Sequence, residues 1–181
     1  TPFSRQEFED SYEPSPNAVE QARRTLFRSA AGFGTGAHGV YGTGFRSNVT
    51  RSYSTPADNW TDMPNIVAQV SGRMRGVIIE HRPAIEILQR YDGPDTLHYV
   101  DPPYQFETRS APSAGKVYRH EMSDQDHIDL AAVLRSLEGV VVLSCYPSPL
   151  YEFLYSEWEK LSISAHADGA RDRVEVLYTN R

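Results

Sequence analysis

The sequence predicts an α/β fold built on a mostly parallel, doubly wound sheet, and three observations lead there. Val140-Val141-Val142-Leu143-Ser144-Cys145-Tyr146 is a continuous apolar run, as in strands buried on both faces. Thr96-Leu97-His98-Tyr99-Val100-Asp101 is a shorter run, rich in β-branched and aromatic residues, that stops at Pro102. Amphipathic helical patterns separate runs of this kind, and strands alternating with helices form parallel sheets.

The chain of 181 residues is long enough for one domain, or one domain with an insertion. Its net charge of -6 argues against a generic polyanion binder, yet leaves room for a local basic face. No run approaches the roughly 18 apolar residues of a membrane span. The single cysteine, Cys145, forms no internal disulfide and suits a reducing cytoplasm, and no signal-peptide pattern is present. The chain starts at Thr1 without a methionine, which fits a fragment, a processed product or the later piece of a longer chain.

Residues 1–14 read as an irregular lead-in. Ser15, with Pro16 at the first helical position, starts a helix over 17–31, with Val19, Ala22, Leu26 and Ala30 on one face and Glu20, Arg23 and Arg24 on another. From Gly32 to Asn59 the chain is glycine-rich, with His38, Tyr41, Phe45, Arg46, Asn48, Arg51 and Tyr53 interleaved. The glycine spacing matches neither a dinucleotide nor a P-loop motif, which argues against a phosphate cradle. Asp62 and Pro64 open a helix over 63–72 whose stripe, Met63, Ile66, Val67 and Val70, should be buried. Gly76-Val77-Ile78-Ile79-Glu80 reads as a buried strand, and Pro83 starts a short helix carrying Ala84, Ile85 and Leu88. With the strand at 96–101, this strand–helix–strand unit predicts parallel neighbours.

Residues 105–120 form a loop carrying Gln105, Thr108, Arg109, Ser110, Lys116, Tyr118, Arg119 and His120. Ser123 and Asp126 make a capping box for a helix running to Leu137, with Leu130, Ala131, Leu134 and Leu137 inward and Gly139 ending it. The cluster Asp126-His127-Ile128-Asp129 is explained by that helix start, not by a metal. Cys145 has no evident supporting base and reads as a small buried residue. Ser148-Pro149 opens a helix with Leu150, Phe153, Leu154 and Trp158 on one face. Strands at 160–166 and 173–179 follow, joined by a turn at Ala167-Asp168-Gly169.

Asp101-Pro102-Pro103-Tyr104 is the stretch that carries chemistry. Each proline fixes its φ and pushes the preceding residue toward extended geometry. The result is a rigid ledge at a strand's carboxyl end, where open α/β sheets bind ligands. This motif, with Leu143-Ser144-Cys145-Tyr146 and Arg173-Val174-Glu175-Val176-Leu177-Tyr178 downstream, resembles the DNA adenine N6-methyltransferases of the Dam-like D12 class.

That resemblance implies a Rossmann-like class I methyltransferase sheet with a C-terminal antiparallel hairpin, and a small helical and loop-rich target-recognition insertion. It implies a DNA-binding segment at 1–75 and a partial catalytic domain at 76–181. The implied reaction moves a methyl group from S-adenosylmethionine to the N6 amine of an adenine flipped out of duplex DNA. Asp101 and the Pro102 carbonyl would accept the amine's two hydrogens, pushing electron density back onto a nitrogen delocalised into the ring. Pro103 would stiffen the ledge, and Tyr104 would stack on the base. Ser144 and Tyr146 would stand on the pocket rim, and Asp101 and Glu80 near the cofactor, although a solvated surface carboxylate also explains Glu80. Arg46 and Arg51, with Arg109, Lys116, Tyr118 and Arg119 after the motif, would contact DNA; an ordinary surface loop is the alternative for each stretch. The implied setting is cytoplasmic, prokaryotic or phage-like.

Two parts of the family pattern are missing: the first strand with its glycine-rich turn for the methionine moiety, and the next strand's acidic residue for the ribose. The sheet would lose a central member, leaving apolar strand edges unpaired. These residues are therefore expected to fold with an upstream segment, or with a partner chain carrying the glycine-rich cofactor motif. The other readings are a methyltransferase-like DNA-binding chain without its cofactor half, and an amino-methyltransferase with another acceptor.

Overall fold

The structure is a computed structural model describing residues 1–33, 43–47, 54–108, 120–167 and 171–181. It divides into two compact units, Thr1–Ile78 and Ile79–Arg181. In the first, α1 (Arg5–Asp10) occupies the lead-in expected to be irregular; Ser4 caps it by accepting the Glu7 N–H. The next helix, α2 (Ala18–Ala31), is capped by Asn17 and not by the Ser15-Pro16 pair, because the Asn17 carboxamide oxygen accepts the N–H groups of both Val19 and Glu20. Ser15 instead accepts the Asn17 N–H.

Phe8, Phe27 and Ala31 form this unit's core, with Phe3, Tyr12, Phe45 and Trp60 packed around it. The Phe27 and Trp60 rings meet edge to face at 4.8 Å. Val19, expected on the inward face, is 80% exposed. Glu20 joins Arg23 and Arg24, and Arg23 also reaches Glu7. Hydrogen bonds from Arg23 and then Arg24 hold the Glu20 carboxyl down at about 2.

Thr55 and Asp58 make a reciprocal capping box for α3 (Pro56–Thr61), directly before α4 (Met63–Arg73). The stripe on α4 is not buried: Ile66, Val67 and Val70 are 41%, 46% and 52% exposed. Periodicity specified an apolar face but not a cover for it. The strand expected at 76–80 does not form. Gly76 takes a φ of +80°, in the left-handed region glycine favours, and the Val77 N–H turns back to the Met74 carbonyl. Val77, Ile78 and Ile79 are exposed, with no ladder partner among the described residues.

In the second unit, α5 (Ala84–Arg90) leads to β1 (Leu97–Val100), α6 (Asp124–Ser136), β2 (Val140–Cys145), α7 (Pro149–Leu154), β3 (Glu159–Ala167) and β4 (Arg171–Thr179). The sheet order is β1-β2-β4-β3. β1 and β2 pair in parallel, and β2–β4 and β4–β3 are antiparallel: the described sheet is mixed, with the expected antiparallel hairpin at its C-terminal end and one parallel pair in place of a mostly parallel remainder. With no strand at 76–80, the parallel pair forms one unit later, through α6. The capping box at Ser123 and Asp126 is present, and α6 turns Leu130, Ala131 and Leu134 inward. The β3–β4 turn at 168–170 lies outside the described residues.

One sheet face carries the core. Val141, Leu143, Cys145, Val176 and Tyr178 pack with Leu88, Leu130, Leu134, Tyr151, Leu154 and Tyr155. Full burial of such a side chain contributes roughly 1.5–3 kcal/mol. On α7 the inward set is Tyr151, Leu154 and, just beyond it, Tyr155; Phe153, expected there, is 78% exposed. On the opposite face, register and alternation place Leu97, Tyr99, Leu161 and Ile163, which are 66%, 64%, 58% and 46% exposed.

The two parallel strands are locked at their amino ends. Asp92 accepts the Glu138 N–H at 2.8 Å and the Gly139 N–H at 3.1 Å, and pairs with His98 Nε2 at 3.0 Å. Gly139 was expected as a helix stop, but its stronger constraint is space. A Cβ there would lie 2.6 Å from the Thr96 carbonyl oxygen, to which Val140 N–H donates. The Glu138 N–H foremost, then His98 and Gly139, holds the Asp92 carboxyl down at about 2 from its ordinary 3.8, against the opposing effect of burial. A lowered carboxyl pKa stabilises the fold above the unfolded value and loses that contribution as pH falls through the folded one. Thermal unfolding between pH 4 and pH 2 should therefore show a steeper loss of Tm in the unaltered protein than in Asp92→Asn. The variant should already be less stable at pH 7.

Candidate active site at the carboxyl end of the parallel pair

β1 ends at Val100, so Asp101-Pro102-Pro103-Tyr104 leaves the sheet at the carboxyl ends of the two parallel strands. Asp101 is exposed, and Pro102, Pro103 and Tyr104 are half-buried. Pro102 can donate to no ladder, which accounts for the strand stopping where it does. From the neighbouring strand, Ser144 brings its Oγ to 2.7 Å from the Tyr104 hydroxyl oxygen. Tyr146 sets its ring against that of Tyr104, centroids 4.6 Å apart at an interplanar angle of 74°. Burial pushes the Tyr104 hydroxyl well above the ordinary tyrosine range; the Ser144 hydrogen bond opposes this, and the negative charge of Asp101 adds to it. A carboxylate, a fixed aromatic ring and two stiff prolines thus share one ledge.

The loop beyond the ledge is tied down. Gln105 is buried, and its side-chain amide donates to Asp124, the first residue of α6, at 2.7 Å. Its carbonyl accepts the Thr108 hydroxyl and N–H, closing a single 3-10 turn over Phe106–Thr108. Gln105, Glu107, Thr108, Asp124, Ser148 and Leu150 line a groove of about 440 Å³ beside it. No sequence signal pointed to the Gln105–Asp124 tether; it joins a loop to a helix start 19 positions away.

The other expected site residues are placed as follows. Glu80 ends no strand; its carboxylate accepts the Tyr91 hydroxyl at 2.9 Å and lies 3.7 Å from Arg82. Arg46 sits over the Phe33 ring at 5.8 Å, and its backbone N–H donates to Ala31. Arg51, Arg109, Lys116, Tyr118 and Arg119 lie outside the described residues, as do His38, Tyr41, Asn48 and Tyr53. In the Asp126–Asp129 cluster, Asp126 caps α6, and His127 is buried with its Nδ1 3.0 Å from the Tyr151 hydroxyl.

The D12 class N6 adenine-specific DNA methyltransferase family model matches residues 7–165. No curated protein matches the chain. Among the described residues, no helix is long and apolar enough to cross a membrane.

Cys145 follows Ser144 but is fully buried, and burial pushes its thiol up to about 12. A thiol in that state stays protonated at neutral pH and is a poor nucleophile. Folded protein treated with iodoacetamide at pH 8 should remain unmodified at Cys145 by mass spectrometry, and denaturant should release full alkylation.

Proposed function

The chain belongs to the D12 class N6 adenine-specific DNA methyltransferase family, and from that premise we propose that it methylates the N6 amine of an adenine flipped out of duplex DNA. The observation that carries this reading is the ledge at the end of β1, where Asp101 stands exposed beside the anchored ring of Tyr104. In the proposed reaction Asp101 and the Pro102 carbonyl accept the amine's hydrogens and orient its lone pair for in-line attack. Tyr104 offers a π-face to a base that has lost its stacking neighbours. Direct displacement needs no enzyme nucleophile, in keeping with a buried, protonated Cys145.

S-adenosylmethionine is the proposed methyl donor, supplying an activated methyl on sulfur. The described residues do not by themselves fit it. Asp101 is a suitable carboxylate at a strand end, but Glu80 is engaged by Tyr91 and Arg82, and the sequence holds no glycine-rich turn of the family kind. We assign that cradle to an upstream segment or a partner chain. The edge of β1 supports this: among the described residues it pairs only with β2, and Leu97 and Tyr99 beside it are solvent-exposed. An edge strand with a bare apolar face is a docking place for another strand. The same observation favours, as a second reading, a DNA-binding partner chain whose catalysis depends on another subunit. Arg46, and Arg51, Arg109, Lys116, Tyr118 and Arg119 beyond the described residues, are the proposed DNA contacts.

The deciding experiment is transfer of tritiated methyl from S-adenosylmethionine to unmethylated duplex DNA, by this chain alone and with its upstream segment restored. N6-methyladenine should appear in the DNA hydrolysate from the restored protein. Asp101→Ala should lower that transfer by at least about a hundredfold while DNA affinity changes little, the scale of one lost transition-state contact. Full activity in Asp101→Ala would end the mechanism; tight DNA binding without transfer in either form would favour the partner-chain reading.

A further inference from the structure

Ser144, 5% exposed, places a hydroxyl in an otherwise apolar strand. A buried hydroxyl costs stability unless it is hydrogen-bonded. Its bond goes not to the sheet but to the Tyr104 hydroxyl, 40 positions away, at 2.7 Å. Alternation along β2 sets Ser144 on the face opposite Leu143 and Cys145, and its register partner on β4 is Leu177.

We propose that Ser144 is a positioning residue which fixes the Tyr104 ring in the geometry that receives the target base. The proposal rests on the methylation reading above and deepens it. Pro102 and Pro103 stiffen the backbone of the ledge but leave the Tyr104 side chain free to swing about χ1 and χ2. Two contacts remove that freedom: the Tyr146 ring from the side and the Ser144 hydroxyl at the tip. The Ser144 Oγ and the Tyr104 hydroxyl oxygen, 2.7 Å apart, share one hydrogen bond that either can donate. Pro102 and Pro103 alone separate this anchored ring from Asp101 in the chain. The stacking face is therefore held in place before any substrate arrives. Pre-set geometry of this kind acts on the rate at saturation more than on substrate affinity.

The test is a double-mutant cycle in the protein with its upstream segment restored, using Ser144→Ala, Tyr104→Phe and the pair. Ser144→Ala should lower kcat for adenine methylation by about five- to tenfold with KM for DNA changed less than about twofold, the size of one lost hydrogen bond expressed in the transition state. In the Tyr104→Phe background, Ser144→Ala should have no further effect, since the group it acts through is already gone. A structural role alone would lower both backgrounds equally. Protein labelled with ¹³Cζ-tyrosine supplies a readout independent of activity. The Tyr104 Cζ resonance, assigned by its loss in Tyr104→Phe, should shift in Ser144→Ala. An unmoved resonance, or rate losses that multiply, overturns the role of Ser144 alone. An unaltered protein that binds DNA and cofactor yet transfers no methyl overturns the methylation reading, and the place of Ser144 in it.

Discussion

The parallel pairing of β1 with β2 is the constraint on which the candidate site depends. Parallel neighbours cannot be joined by a hairpin, so the chain must leave the end of β1, cross over through α6 and return to the start of β2. That return path sets the two carboxyl ends side by side, and Tyr104 meets Ser144 there. The opposite ends are fixed by a different device. Gly139 lets the backbone of β2 start against the Thr96 carbonyl, and Asp92 holds the N–H groups of Glu138 and Gly139. A slip of one residue would turn the buried His98 outward and carry Ser144 to the wrong face. The clamp at one end thus sets the register that the Tyr104–Ser144 contact at the other end needs.

What could be read from the sequence follows from where the information lies. Ser123 and Asp126 are three residues apart, and their capping box is an i to i+3 signal that survives any tertiary context. The strands at 97–100 and 140–145 and the final hairpin were legible because β-branched runs bounded by proline or glycine leave few alternatives. The helices α1 and α3 were not read. Each has six residues, too few for a 3.6-residue period to emerge, although Thr55 and Asp58 carried a capping box that marks the second. Gly76–Glu80 forms no strand: an apolar run says only that a segment would gain from burial. A strand also needs a neighbour to bond, and among the described residues this one has none.

The site divides in the same way. Asp101 through Tyr104 are contiguous, so their rigidity and position at a strand end could be derived from proline chemistry. The resemblance placed Ser144 and Tyr146 on a rim, and both do face Tyr104. The direction of the Ser144 hydroxyl is not legible in sequence, because it depends on the register between two strands whose partners lie 43 residues apart (Leu97 and Val140, 140 − 97).

The uncovered sheet face links the errors of the sequence reading to the proposed need for a further segment. β2 is apolar at both odd and even positions, the pattern of a strand buried on two faces. The structure buries the face that carries Val141, Leu143 and Cys145 under α6 and α7, while Leu97, Tyr99, Leu161 and Ile163 on the other face stay wet. At about 25 cal/mol per Å² of apolar surface, leaving that face in water forgoes a sizeable part of the stabilisation the sequence encodes. An ordinary one-sided antiparallel sheet would carry polar residues there. The expectation of a mostly parallel, doubly covered sheet and the observation of a mixed, singly covered one are therefore compatible. The residue pattern asks for cover on both faces, and β1, next to Asp101, is an edge strand of the four described.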